Sequence, residues 1–292
     1  MGISVEQRLE KSCDLSDDKL AAIRRLEAAC SQTEGLTMKL NWHTLQHRLG
    51  KEANDFFYYE NDRLIGYLAL YTFNKREAEV SALTHPDYRR QGIFKQLLAA
   101  ARSELQQRRV PEFLFICEQR SLSAVRTMAA VGARYDFSEY KMTLRDFTGA
   151  VPVPADLQIR PAVIEDTEAL AQMDEICFDV PIEHSKRHLQ EDLKDRKRRI
   201  FVASSGPDKV GKTGVTLTET EAYIFALCVL PPHRRQGYGG AILANVVEQL
   251  LAEGLSKIAL EVACVNETAL SIYKRCGFEV VTAYDYYRLP VS

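Results

Sequence analysis

Val229-Leu-Pro-Pro-His-Arg-Arg-Gln-Gly-Tyr-Gly239 decides how this chain is read. The apolar run 222–230 has strand length and ends at Pro231. A basic loop with two glycines follows. Ile242, Leu243, Val246, Val247, Leu250 and Leu251 then recur at helical spacing. Strand, glycine-bearing basic loop and helix together make an anion cradle. Glycine lets the backbone approach a ligand, the first amides of the helix point at the loop, and Arg234 and Arg235 add positive potential. A pyrophosphate suits such a site. A P-loop would need Gly-Lys-Ser/Thr, which is missing, and a dinucleotide fingerprint would need Gly or Ala where Ile242 stands. A turn with two solvated arginines is the plainer alternative.

The same words occur earlier. Tyr88-Arg-Arg-Gln-Gly-Ile-Phe94 precedes a helical pattern of Leu97, Leu98, Ala101 and Leu105. Gly237 lies 145 residues after Gly92, and the same offset superposes Pro231 on Pro86 and Gly277-Phe278 on Gly132-Ala133. One offset held across that distance indicates duplicated domains, because a period this long exceeds any solenoid repeat. With 292 residues and roughly 150 residues per domain, two domains are expected, 1–150 and 151–292. Between them 146–156 carries Pro152 and Pro154 and no helical period. Each half reads in the same order. Helices are expected at 19–30 and 41–51, then strands at 56–60, 64–72 and 77–83. The loop and its helix come next, then a strand at 112–117, a helix at 123–131 and a strand at 140–144. The second half has 165–177, 184–197, 200–203, 210–217, 222–230, 258–263, 267–275 and 284–289.

Composition bounds the rest. A net charge of −2 gives no global attraction to nucleic acid or anionic membrane, and no apolar run approaches a membrane span. The N-terminal segment has neither an apolar signal core nor the myristoylation pattern, so a cytoplasmic protein is expected. The seven cysteines form no CxxC pair and read as reduced thiols, with Cys117, Cys228 and Cys264 inside apolar runs; none is placed like a nucleophile. His184 and His188 stand four apart but no third ligand is evident, so no metal is expected.

At this point the chain resembles a known superfamily. Arg234-Arg-Gln-Gly-Tyr-Gly239 is similar to the pyrophosphate loop Gln/Arg-x-x-Gly-x-Gly/Ala of the GCN5-related N-acetyltransferases (GNAT). Asn266-Glu-Thr-Ala269-Leu-Ser-Ile-Tyr273-Lys-Arg-Cys-Gly277-Phe278 resembles the second cofactor motif, Asn-x-x-Ala-x-x-x-Tyr-x-x-x-Gly-Phe. The likeness spans the second half and, through the repeat, reaches the first. It implies an α/β fold of two tandem GNAT-type domains, each a mixed, mostly antiparallel central sheet flanked by helices.

The resemblance also implies acetyl-coenzyme A as acyl donor and a small-molecule or peptide amine as acceptor, attacked directly on the thioester. The backbone of Leu227, Cys228 and Val229 would pair with the pantetheine arm. Arg234, Arg235, Gln236, Gly237, Tyr238, Gly239 and Gly240 would hold the pyrophosphate, and Asn266 the pantetheine region. Tyr273 would stand beside the cofactor sulfur, where a phenol can protonate the departing thiolate; it also reads as a core residue. In the first half Arg89, Arg90, Gln91, Gly92, Ile93 and Phe94 form the matching loop, with Phe94 for Gly239, Ser121 for Asn266 and Met128 for Tyr273. Methionine has no proton to give, so the second half is expected to catalyse and the first to be a degenerate copy that still binds coenzyme A. Glu79 is the counter-signal, a strand glutamate that reads either as a general base or as a solvated residue beside Lys75 and Arg76. A non-catalytic coenzyme-A sensor is the alternative from another class. A monomer is expected, since the repeat stands in for a dimer.

Overall fold

The computed structural model describes residues 6–292 except 49, 73–74, 148, 150–151 and 219–220. In chain order its strands and helices are β1 (Gln7–Ser12), α1 (Asp17–Glu34), α2 (Trp42–Gln46), β2 (Asp55–Glu60), β3 (Arg63–Tyr71), β4 (Ala78–Thr84), α3 (Ile93–Arg108), β5 (Glu112–Glu118), α4 (Leu122–Val131) and β6 (Arg134–Leu144). Then come β7 (Leu157–Pro161), α5 (Thr167–Phe178), α6 (Ile182–Asp192), β8 (Arg198–Ser205), β9 (Asp208–Leu217), β10 (Glu221–Val229), α7 (Tyr238–Ala252), β11 (Lys257–Ala263), α8 (Glu267–Arg275) and β12 (Phe278–Pro290).

The chain divides into two compact units. One is Met1–Ser138 with Thr282–Ser292, the other Glu139–Val281. The expected junction near residue 150 falls partly on residues outside those described, and the division runs elsewhere. The cause is strand pairing. Residues 139–143 of β6 pair antiparallel with β11, and residues 284–290 of β12 pair antiparallel with β5. Each half of the sequence therefore supplies the closing strand of the other unit.

In the first unit the strands run β1-β2-β3-β4-β5-β12, antiparallel except for the parallel pair β4–β5. A parallel pair needs a crossover, and α3 is that crossover. Ile93, Leu97, Leu98, Ala101 and Leu105 of α3 pack with Phe56, Leu68, Val80, Phe113 and Phe115. On the opposite face Ile23, Leu26 and Cys30 of α1 pack with Phe57, Tyr67 and Leu83. Helix α1 starts where Ser16 accepts from Lys19 N, and it ends at Gly35 with φ 63°. The expected helix over 41–51 shrinks to α2, five residues long; His47 already leaves helical torsions and Gly50 has φ 68°.

The second unit repeats the plan with order β6-β11-β10-β9-β8-β7 and one parallel pair, β10–β11, crossed by α7. Strands β1 and β7 escape the sequence reading. Both lie at a sheet edge; β1 shows no two-residue alternation, and the alternation of β7 lasts only from Leu157 to Arg160.

Asp166 stands just before α5 but does not cap it with its side chain. Helix α5 begins at Thr167, and the Asp166 carboxylate takes Arg160 Nη1 and Nη2 at 2.7 and 2.9 Å, Val163 N at 2.9 Å and Lys209 Nζ at 2.8 Å. Its side chain is 2% exposed. The Arg160 hydrogen bonds, with Lys209 and Val163 adding to them against burial, hold its pKa far below the carboxylate range. A depressed folded pKa gives stability that is complete above the unfolded value of about 3.9 and is lost as pH falls below it. Asp166→Asn is expected to cost about 2 kcal/mol at pH 7. Urea unfolding at pH 7 and at pH 3 checks this, since the gap between wild type and variant narrows on acidification.

Candidate active site

In each unit the parallel pair separates partway along. Strands β4 and β5 are in register only from Ala78–Phe113 to Val80–Phe115, although β4 continues to Thr84 and β5 to Glu118. Strands β10 and β11 are in register only from Glu221–Lys257 to Ile224–Leu260. Beyond those points each pair stops bonding, so the facing backbone groups are left for a ligand.

The basic loops sit at the mouths. Each begins with a single 3-10 turn, Pro86–Tyr88 or Pro231–His233. Arg90 and Arg235 both have φ 63°, and Gly92 and Gly237 have φ 82° and 86°. Helix α3 makes its first backbone bond from Gln96 N to Gly92 O, and α7 from Ala241 N to Gly237 O, both at 3.1 Å. The amides of Ile93 and Phe94, and of Tyr238, Gly239 and Gly240, lack intrahelical partners and lie at the positive end of the helix dipole. The equal torsions show that Phe94 leaves the loop backbone intact. Its ring turns onto Phe115, with centroids 6.2 Å apart.

An arginine pins each loop to its strand. Arg89 Nε donates to Thr84 O at 3.3 Å and Arg234 Nε to Val229 O at 2.9 Å. In the first unit Arg89 also pairs with Glu34, which accepts from Ser121 Oγ. In the second, Arg234 Nη2 instead reaches Cys177 Sγ at 3.9 Å.

The sharpest difference between the units lies in the strand. Strand β4 pairs with β3 without interruption from Glu79 to Thr84. Strand β10 shifts register against β9 between Phe225 and Cys228, and Ala226 takes φ 49°. A bulge of this kind re-aims a strand end. Glycines in β9 accommodate it. A Cβ on Gly211 would stand 2.5 Å from Cys228 O, and one on Gly214 would strike the Phe225 ring at 2.2 Å. Leu230 N bonds to Val210 O on β9. Amides alternate sides along a strand, so Val229 N points toward the side from which β11 has departed.

Tyr273 on α8 is 7% exposed, its ring 6.3 Å from that of Phe278, and among the described residues its hydroxyl has no hydrogen bond. Burial pushes its pKa up to about 12, so the phenol keeps its proton across the physiological range. Asn266 caps α8, its Oδ1 accepting from Ala269 N at 3.1 Å, and Ser121 caps α4 through Ala124 N at 3.3 Å. The Tyr238 hydroxyl bonds Asp156 and Ser205. Glu79 pairs with Tyr71 and Leu114 where β4 and β5 are still joined, and it does not line the first unit's cleft. That cleft encloses about 840 Å³ between residues 80–84, 88–95 and 115–118, with Met128 on its wall. Its size is that of a ligand site. Cys264, inside an apolar run, is half-buried. The rings of His184 and His188 stack edge to face.

Comparison with known proteins agrees with this geometry. The model of the Acetyltransferase (GNAT) family matches twice, at residues 20–132 and 167–278. The chain belongs to the GNAT family. It is 28% identical over 290 residues to a mycothiol acetyltransferase of Streptomyces scabiei, covering 93% of this chain and 92% of that protein. A stretch of 62 residues is 36% identical to the [ribosomal protein bS18]-alanine N-acetyltransferase of Escherichia coli, 21% of this chain and 42% of that one. Among solved structures, a GCN5-related N-acetyltransferase from Sphaerobacter thermophilus superposes with TM-score 0.82 at 21% identity, covering 98% and 96% of the two chains. A tandem GNAT protein of the clavulanic acid pathway gives 0.79 at 18%, covering 98% and 99%. These likenesses establish an acetyltransferase of two GNAT domains. No helix among the described residues is long and apolar enough to cross a membrane.

Proposed function

We propose that the second unit transfers an acetyl group from acetyl-coenzyme A to a primary amine, and that the first unit binds coenzyme A without turning it over. The bulge in β10 carries this reading. It re-aims residues 227–229 along the open side of the strand, and the pairing of β4 with β3 has no such shift. The site suits the donor: free amides at the start of α7, the unobstructed positive torsion of Gly237, and Arg235 suit a pyrophosphate, while the strand edge suits an extended arm with amides of its own. When bound, the donor supplies an activated acyl carbonyl. Val229 N–H faces the place where that carbonyl's oxygen gains charge. The protonated phenol of Tyr273 gives its proton to the departing sulfur. The Nδ2 of Asn266, whose Oδ1 already caps α8, is available to the arm. Holding donor and acceptor in line supplies much of the rest. The incoming amine needs no base if it arrives neutral. Glu221 stands at the closed end of the cleft with Lys257 and Glu79 in the other unit, so neither is given that role.

The first unit keeps the loop torsions and a cleft of ligand size, but Met128 in place of Tyr273 leaves it without a donor. The acceptors named for the two relatives differ, which fits a shared donor site serving different amines. We read the chain as a cytoplasmic monomer. The test is coenzyme-A release from acetyl-coenzyme A across a panel of primary amines. Turnover with at least one amine is the expected result. Binding of coenzyme A with no release for any amine would leave a sensor instead.

A further inference from the structure

Two thiols meet beneath the second unit's loop. Cys177 sits in the last turn of α5 and is half-buried; Cys228 lies on the bulged end of β10 and is 8% exposed. Both belong to one apolar cluster with Leu170, Val202 and Leu189, where the end of α5 packs on the end of β10. Arg234 Nη2 stands 3.9 Å from Cys177 Sγ. Cys177 Sγ also lies 3.9 Å from Val229 O, a carbonyl that takes Arg234 Nε at 2.9 Å as well. On the other side of the pair, Lys212 is buried against Asp174, which accepts from Ser185.

The first unit serves as an internal control. Cys30 holds the matching place, with Sγ donating to Thr84 O at 3.4 Å. It is 1% exposed, burial raises its pKa against the pull of Arg89, and Glu34 stands beside it. Leu83 occupies the position matching Cys228, so no second thiol is there. In the second unit the Cys177 sulfur is drawn below the thiol range, first by the Cys228 hydrogen bond and then by Arg234, against the cost of partial burial. Cys228 keeps the shared proton, held there by its bond to Cys177 and by burial.

We infer that Cys177 and Cys228 form a dithiol site for hydroperoxides, with Cys177 as the attacking thiolate and Cys228 as the resolving thiol. The Cys177 thiolate attacks the outer peroxide oxygen, the O–O bond breaks, and the released alkoxide takes a proton from water. Cys177 is then a sulfenic acid. The Cys228 sulfur attacks it, the S–O bond breaks, and the hydroxide that leaves takes the Cys228 proton. Two thiols and one hydroperoxide give a disulfide, an alcohol and water, the two electrons passing from sulfur to peroxide. Closing the bond pulls the end of α5 toward β10 and removes the sulfur partner of Arg234. On the reading that this loop holds the donor, the disulfide weakens donor binding.

The full chain is treated with tert-butyl hydroperoxide and digested without reductant. The expected product is a Cys177–Cys228 cross-linked peptide that dithiothreitol removes, and in Cys228→Ser a dimedone adduct on Cys177. Before oxidation, iodoacetamide is expected to alkylate Cys177 about fivefold faster than Cys13, because the larger thiolate fraction outweighs the loss of intrinsic nucleophilicity. Failure to form the cross-link, or a Cys177 no faster than Cys13, overturns the inference. Desthio-coenzyme A, which has no thiol to exchange, is titrated into reduced and oxidised protein. About tenfold weaker binding after oxidation supports the coupling, and equal binding removes it. No binding to the reduced protein sinks the donor-site reading and leaves the thiol chemistry to be judged by the cross-link.

Discussion

Tyr273→Phe is expected to lower kcat by about 10²-fold or more and to leave the affinity for coenzyme A within about twofold. The ring stays against Phe278 in the core of the second unit, so only the oxygen is lost. A phenol pushed up to about 12 is protonated at neutral pH and gives its proton only when a strong base appears beside it. A thiolate departing into the same apolar surroundings becomes such a base, because loss of water raises its proton affinity as it does the phenol's. The effect therefore belongs to the chemical step and spares binding, which is the kcat-against-KM pattern to look for. If Tyr273→Phe turns over normally and Glu79→Gln is dead, the chemistry lies in the first unit. A Met128→Tyr variant that changes nothing would point the same way.

Gly237→Glu is expected to abolish donor binding in the second unit, with affinity falling about 10²-fold or more. Gly237 has φ 86°, where a side chain costs roughly 1–2 kcal/mol. Space is not the obstacle, because a Cβ there meets only Pro154 at 3.9 Å. Most of the loss comes from the new carboxylate, set among amides that await an anion. Gly92→Glu brings equal strain, at φ 82°, into the first loop. Isothermal titration with coenzyme A should lose one site in each variant, and turnover should follow Gly237. Unaltered turnover in Gly237→Glu would mean that the donor binds elsewhere.

What the sequence could show depended on residue type. Glycine at a positive torsion and paired arginines advertise a loop, so both loops were legible, as was the helix after each. The repeat offset carried the fold from the second half to the first. The bulge in β10 was not legible, because Ala226 adopts its positive torsion without a glycine to mark it. The nearest signals were Gly211 and Gly214 on the neighbouring strand, whose purpose appears only once Phe225 and Cys228 lie over them. Asn266 and Ser121 looked like a gain and a loss of function. In the structure both first serve as helix caps, and their difference is confined to the amide that Asn266 has to spare. The cysteines misled because apolar flanks predict burial and say nothing about which sulfur meets which. Cys177 and Cys228 are 51 positions apart, and only the packing of α5 on β10 brings them together.

The closing strands bear on how the chain is made. The first unit's sequence is nearly complete at Ser138, yet its sheet waits for residues 282–290. At the usual 5–20 residues per second, the interval is on the order of ten seconds. Through that time the outer edge of β5, with Phe113, Phe115 and Cys117 on it, has no strand beside it. An open edge of that composition invites pairing with any other nascent strand. The second unit, whose strands from β6 to β11 are contiguous in the chain, can close on its own as it is made. A ribosome would thus release its product with the later-made unit folded before the earlier one is sealed.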